Sequence, residues 1–545
     1  MEGHGTLLDK IIVLSYFGIV FAAGWLYSRR YKKDTAKEFL TGGRHLSWWQ
    51  TGLTLIAMMI DPGIMGFAAL GFIWGYYIIQ WNAVNVWVTS WFSGLFFIAI
   101  YWRSKIVTTP EYLDKRFNSV TRAFFSLIMI STMVGMLVYA VYMGALLLRE
   151  FVGWNLWFNI FLIAGVAGFY VILGGVRTML ALDIFQGALL LITLFALGIA
   201  GFVKLGGLSG LQQLEVLGNA GTPLNSLIPP MDFNLFTNTM YPLPAVPTYC
   251  VIAGISWIVC NFSTAQRLLA SKDESHAQKA LIMTGVFNVL LLLLAYSAGV
   301  AMRKLQPDIL PDKAFITLLF DTFRTVPGVP GLLIVGLMAA LLSTIDGLIS
   351  ASSSLFTQDI YLRFFDKEAG GKKLKVVVRI VEFLVILLIF VFIKFFMGEG
   401  KDDSAFAVLQ RFLGNVMGVL IAIYGLGIFS KRTTSWASFI GMMAGVLLST
   451  ILSFVLPKFT SLPTVNFAHV GTFSFLTVII VGIIGCKFEK PKTDAELENL
   501  TVWTLPDVKG PWVGLKSWPG LWKWAIGLPL GWFAICVVWE LYMRT

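Results

Sequence analysis

The chain has little of what catalytic and metal chemistry uses. Four histidines (His4, His45, His276, His469) and four cysteines (Cys250, Cys260, Cys486, Cys536) are scattered through 545 residues. No pair of them has metal-ligand or redox spacing, so the cysteines read as buried thiols and no metal other than an alkali ion is expected. Charge is scarce as well, since only 13% of residues are Asp, Glu, Lys or Arg. With no nucleophile–base pair and no metal constellation, an enzyme is not expected, nor a cofactor. Alternating strand patterns are also missing, so helices rather than a barrel would satisfy the backbone in lipid.

Apolar side chains are what the chain has in excess. They make up 57% of it, more than a soluble protein of this length could bury. Fourteen stretches are long and apolar enough to be spans: 7–28, 46–72, 73–102, 121–149, 153–174, 180–204, 246–268, 279–302, 330–360, 374–397, 404–429, 433–456, 467–486 and 522–541. The first lacks a cleavage-site pattern and is too long for a signal peptide, so it reads as a retained helix. The expected fold class is therefore all-α integral membrane, a single polytopic domain over 1–545 with the lipid bilayer as its partner.

A net charge of +11 invites a nucleic-acid reading, but the distribution of charge argues against it. If the N-terminus lies outside and the spans alternate, most of the 41 Lys and Arg fall in cytoplasmic loops and adjoining helix ends, whereas segment 205–245 holds none. That is the positive-inside bias. It predicts a multi-pass protein of a cell membrane, plasma or bacterial inner, with no nucleic-acid partner. Segment 205–245 is then an outside connection with a short surface helix near Leu208–Leu217, and 487–521 a cytoplasmic one.

The most informative stretch runs from Gly336 to Tyr361. It is long and apolar enough to cross a bilayer, yet it carries Ser343, Thr344, Asp346, Ser350, Ser352, Ser353 and Ser354. A carboxylate at the centre of a membrane helix costs about 2.5–3.5 kcal/mol on insertion scales, which something must offset. At 3.6 residues per turn Ser343, Asp346, Gly347 and Ser350 share a face, with Ala340 one turn earlier. Helix packing explains the small residues but not Asp346. Hard oxygen donors of this kind suit a small cation such as sodium.

Two spans look interrupted. Met58-Met-Ile-Asp-Pro-Gly63 puts an acid, a proline and a glycine at mid-membrane, and Ala253–Trp257 with Asn261–Thr264 does so more weakly. They open two blocks of five spans, 46–204 and 246–429. Paired broken helices in corresponding positions point to a transporter site at an inverted repeat. A plain proline kink is the alternative at Pro62.

Four stretches resemble the sodium/solute symporter family, which includes sodium–glucose cotransporters, proline permease and sialic acid symporters. They are Glu111-Tyr-Leu-Asp-Lys-Arg-Phe117, Gly174-Gly-Val-Arg-Thr-Met-Leu-Ala-Leu-Asp-Ile-Phe-Gln186, Ala265-Gln-Arg-Leu-Leu-Ala-Ser-Lys272, and Ser343 to Tyr361. They occur in the family's order over roughly residues 40 to 450. The resemblance implies a LeuT-like five-plus-five inverted repeat of about 14 transmembrane helices. One extra helix (7–28) would precede the repeats 46–204 and 246–429, and three would follow in 430–545.

It also implies sodium as coupling ion. By residue-by-residue match the sodium site takes side-chain oxygens from Ser343 and Thr344, and carbonyls from Ala340 and from near Ile56 and Met59. An unwound helix frees carbonyls, which agrees with this. A second cation site of some members maps to Asp183, Ser343 and Asp346, with an acid where the family usually has a hydroxyl. Two carboxylates at one site need a cation or a shared proton. The alternative is that Asp183 caps a helix end and Asp346 pairs with a serine. Asp61 is a third intramembrane acid. It would join the sodium site, touch solute, or bond amides freed by Pro62.

The matching solute positions are Asn82, Asn85, Trp257, Asn261 and Gln410. Amides offer donors and acceptors to hydroxyls, and a flat ring stacks on a sugar face, although Trp257 would equally serve packing. Met58 and Met283 are apolar where sugar-transporting relatives are polar. The expected function is thus sodium-coupled symport of a small polar solute by alternating access, with a neutral sugar or polyol favoured. Proton-coupled symport, or a non-transporting sensor or channel on the same scaffold, is the alternative.

Overall fold

The computed structural model describes residues 5–30, 43–59, 63–219, 221–236, 242–396, 405–459, 463–505 and 512–544. Asp61 lies outside the described residues, as do the side chains of Met59, Asn85 and Gln410. Within them the chain is helical, with two isolated β-bridges. Ten helices are long and apolar enough to cross a membrane, or eleven if one bent pair is a single span.

The helices used below are α1 (Leu7–Arg30), α2 (Trp48–Met59), α3 (Gly63–Trp74), α4 (Ile79–Phe92), α5 (Thr109–Arg116), α6 (Ser119–Val152), α7 (Leu156–Leu205), α8 (Val251–Val259), α9 (Phe262–Leu269), α10 (Glu274–Leu305), α11 (Val329–Leu355), α12 (Gly371–Phe396), α13 (Ala405–Phe429), α14 (Ser435–Thr450), α15 (Phe467–Gly485) and α16 (Leu521–Arg544). A π-helical turn, Phe356–Phe365, prolongs α11.

The 50-residue α7 covers two expected spans. It breaks at Gly175 (φ 64°, ψ −167°), a backbone setting that glycine adopts without a Cβ clash. α2 and α3 flank residues 60–62, and α8 and α9 meet at 53°. The second interruption read from the sequence therefore falls at a helix break, while the middle of the first, residues 60–62, lies outside the described residues. At the second, the Asn261 carboxamide oxygen accepts the Ser263 amide at 3.0 Å and so starts α9.

Burial orders the helices. The most apolar window of α11 is 94% buried, against 6% for α16, so α11 is the central post and α16 a peripheral one. α11 packs on α7, α6, α1, α12 and α2. Its first turn is capped from another helix: the Asp9 carboxylate of α1 accepts the Gly331 amide at 2.9 Å. The start of α2 is fastened to the end of α9, where Leu46 exchanges backbone bonds with Ala270 (3.0 Å) and Lys272 (2.9 Å).

Candidate cation and solute site

The hydroxyl face of α11 meets the interrupted end of α2. Ala340, Ser343 and Thr344 are buried, as is Ile56. Thr344 Oγ1 donates to the Met58 carbonyl of α2 at 3.3 Å. The hydroxyls of Ser263 and Thr264 in α9 point at the same residue, 3.8 and 3.7 Å from Met58 Sδ. Three hydroxyls, from Thr344 of α11 and Ser263 and Thr264 of α9, thus gather around Met58 of α2.

Ser343 turns the other way. Its hydroxyl donates to Asp183 Oδ1 of α7 at 2.5 Å. Asp183 and Asp346 are both fully buried, and between them lies Arg267, also fully buried. The guanidinium donates to Asp183 Oδ2 through Nε (3.1 Å) and Nη2 (2.8 Å), and to the Ser343 carbonyl through Nη2 (3.1 Å). Nη1 reaches Ser263 Oγ at 3.0 Å, and Nη2 lies 3.7 Å from Asp346 Oδ1. The other Asp346 oxygen accepts the Tyr170 hydroxyl at 2.6 Å, while Oδ1 has no hydrogen-bond donor. Gln186 extends the cluster to α1 by donating to the Tyr16 hydroxyl at 3.3 Å.

Arg267 fits because residue 347 is glycine. A Cβ there would stand 2.6 Å from Arg267 Nη1 and 2.7 Å from Ser263 Oγ. The acid and the glycine side by side in α11 thus do two jobs: one attracts the guanidinium and the other makes room for it.

Neither Arg267 nor Tyr170 was singled out as a site residue from the sequence. Arg267 stands inside a motif quoted above, and an arginine in an apolar span was the available signal. Its partners are 84 and 79 residues away in sequence, so nothing local names them. Tyr170 gave no signal, being an aromatic in an apolar run.

Of the solute-pocket positions, Asn82 is buried in α4 and donates to the Tyr296 hydroxyl of α10 at 2.6 Å. Trp257 is half-buried on α8, which packs on α4 and α13. Asn261 is committed through its oxygen to the α9 cap. Asn85 lies on α4 and Gln410 on α13. The structure also places near these helices buried groups that the sequence did not flag: Ser256 Oγ and Asn288 Oδ1 lack any hydrogen-bond partner.

A second polar cluster closes one end of the molecule. Asp359, beyond α11, accepts from Arg122 Nε (2.8 Å), Thr108 (2.8 Å) and Ser126 (2.9 Å). Arg116 of α5 is buried and donates to the carbonyls of Gly427 (3.0 Å) and Ser430 (2.6 Å) at the end of α13. Within the Glu111–Phe117 motif, Arg116 thus ties α5 to the end of α13, and Asp114 pairs with Arg122 of α6 at 3.2 Å.

The fold is that of a LeuT-type membrane transporter. A sodium-coupled sialic acid symporter, solved in a substrate-bound outward-open state, superposes with a TM-score of 0.76 at 21% identity, covering 90% of this chain and 99% of that one. The sodium:solute symporter family model matches residues 39–445, so the chain belongs to that family of sodium-coupled cotransporters, which are not enzymes. Among its relatives are the sodium/glucose cotransporter 4 of mouse and the human sodium/myo-inositol cotransporter. The first is 27% identical over 91% of this chain and 78% of its own length, the second 25% over 91% and 75%.

Proposed function

We propose that this symporter imports a neutral sugar or polyol by alternating access, driven by sodium bound between the end of α2 and the hydroxyl face of α11. The contact of Thr344 Oγ1 with the Met58 carbonyl carries the reading, because it brings a backbone carbonyl of α2 to a hydroxyl of α11. The Ala340 carbonyl, carbonyls near Ile56 and Met59, and Ser343 Oγ once it turns from Asp183 complete the proposed oxygen shell. Asn82, Asn85, Trp257, Asn261 and Gln410 form the proposed solute pocket, and Asp61 is the proposed site acid. Relatives named for glucose and myo-inositol favour a polyhydroxylated solute. The proposal includes fourteen crossings, the repeats 46–204 and 246–429, and an outside N-terminus. One sodium crossing 100 mV supplies about 2.3 kcal/mol, or roughly fifty-fold accumulation.

Calorimetric sodium binding to the purified protein tests this. Wild type should bind, and Thr344→Ala and Ser343→Ala should each weaken binding at least tenfold. Wild type that takes up no sodium at any pH would overturn it.

One observation favours a proton as co-ion. Two carboxylates and one guanidinium leave the Asp183–Arg267–Asp346 cluster one negative charge in excess, and Asp346 Oδ1 lacks a donor. A second sodium or a proton on Asp346 would balance it. Asp346→Ser should then flatten the pH profile of uptake while sodium dependence stays; an unchanged profile would count against this role.

A further inference from the structure

Glu382 of α12 is a buried acid that neither cation reading uses. It is 1% exposed. Its Oε2 has no hydrogen-bond partner, and its Oε1 meets a single group, Ser353 Oγ of α11, at 3.4 Å. It lies eleven residues into α12, roughly 16 Å along the axis at 1.5 Å per residue. An ionised carboxylate held this way would lack the donors that buried charges require.

Ser353 has one hydroxyl hydrogen for two acceptors, the Ser350 carbonyl at 2.9 Å and Glu382 Oε1 at 3.4 Å. The carboxyl therefore has one shared donor at most, too few to hold a buried anion, and a proton on Glu382 removes that cost.

Charged groups on the packed helices are engaged elsewhere. On α11 and its extension, Asp346 is held by Tyr170 and Arg267, and Asp359 by Arg122, Thr108 and Ser126. On α6, Arg122 also pairs with Asp114 at 3.2 Å. On α7, Asp183 is bound to Arg267, and Arg177 has its guanidinium against Gly43. On α12 itself, Arg379 lies one turn earlier and its charge acts on Glu382 through space, but the side chain is exposed, with Nε on the Ile172 carbonyl at 2.9 Å.

The hydroxyl face extends past this point. Ser343, Asp346, Ser350, Ser353 and Thr357 recur every three or four residues and so form one stripe along α11. Thr357 Oγ1, like the hydroxyls of Ser352 and Ser354, is buried with no partner. Glu382 is aimed at this stripe from the neighbouring helix.

We propose that Glu382 and Ser353 form a proton-binding site between α11 and α12, filled by a proton when these helices pack as they do here. This site holds its proton apart from whichever co-ion occupies the site above.

Infrared difference spectroscopy on the purified full chain, without sodium or solute, tests the site independently of the transport reading. Wild type minus E382Q at neutral pH should show the carbonyl band of one protonated carboxyl per chain, lost at alkaline pH. A carboxylate band in its place would overturn the proposal. Wild type minus S353A should show the same band displaced to higher frequency, since its bond to Ser353 is gone, and this comparison stands if E382Q does not fold. A band unmoved by S353A would overturn the pairing.

Discussion

Arg267→Gln removes the guanidinium that serves two buried carboxylates. At the 3.7 Å separation from Asp346, with an effective dielectric constant of about 20, the attraction is roughly 4.5 kcal/mol. The Asp183 contact at 2.8 Å is larger still, and both are offset by the cost of burying the ions. Removing one partner of such a pair destabilises by about 3–5 kcal/mol, because the other charge is left buried and unpaired. Asp346→Ser by itself leaves Arg267 paired with Asp183 and sheds the excess negative charge. It forfeits the Tyr170 bond, worth about 1.5–3 kcal/mol to a charged acceptor, so its net effect should be under about 2 kcal/mol. In the double variant one carboxylate rather than two lacks a cation. The two changes should therefore be non-additive by about 1–3 kcal/mol, with the double variant more stable than the sum predicts. Unfolding in mixed micelles, followed by the fluorescence of the 19 tryptophans, measures all three. Additivity within about 0.5 kcal/mol, or an Arg267→Gln protein as stable as wild type, would refute the shared-cation argument.

Two further outcomes follow from named contacts. Gly347→Ala places a methyl group within 2.6 Å of Arg267 Nη1, so it should cost about 1–3 kcal/mol in the same assay; an unaltered transition would show that the guanidinium has room to move. Asp273 caps α10 by accepting the His276 amide at 2.9 Å. Burial alone would raise its pKa, but the amide bond and the His276 ring bring it below the ordinary aspartate value. The cap is therefore worth most above about pH 3.9 and fades as pH falls through the lowered folded value. Asp273→Ala should cost about 0.5–1 kcal/mol at neutral pH, as for an exposed cap, and nothing in strong acid; a gap that persists in acid would refute the cap.

Much of the architecture was legible in the chain because it depends on local properties. Apolar length sets membrane helices, and Asn261 marks the start of α9. A Gly174-Gly175 pair marks the place where α7 turns. The candidate site was legible only in part. The hydroxyl face of α11 follows from helical periodicity, so Ser343, Thr344 and Asp346 could be listed together. Asp183 came through the family resemblance, since its 160-residue separation from Ser343 leaves no local trace. The direction each hydroxyl takes was not legible either. Ser343 and Thr344 are neighbours, yet one faces α7 and the other α2, a consequence of the 100° step between adjacent helical residues.

The sequence by itself determined that this is a helical membrane protein of the sodium:solute symporter family, with a face of hydroxyl and acid side chains on one helix. Composition and periodicity suffice for that, because a bilayer leaves the backbone few alternatives. Tertiary structure alone decided which charges meet. Arg267 joins Asp183 and Asp346 from three different helices, and Gly347 admits it. Glu382 is buried because α12 turns that one face toward α11 while its neighbours Phe383 and Leu384 remain exposed. Such pairings are set by how helices distant in sequence pack, and low dielectric makes each of them decisive.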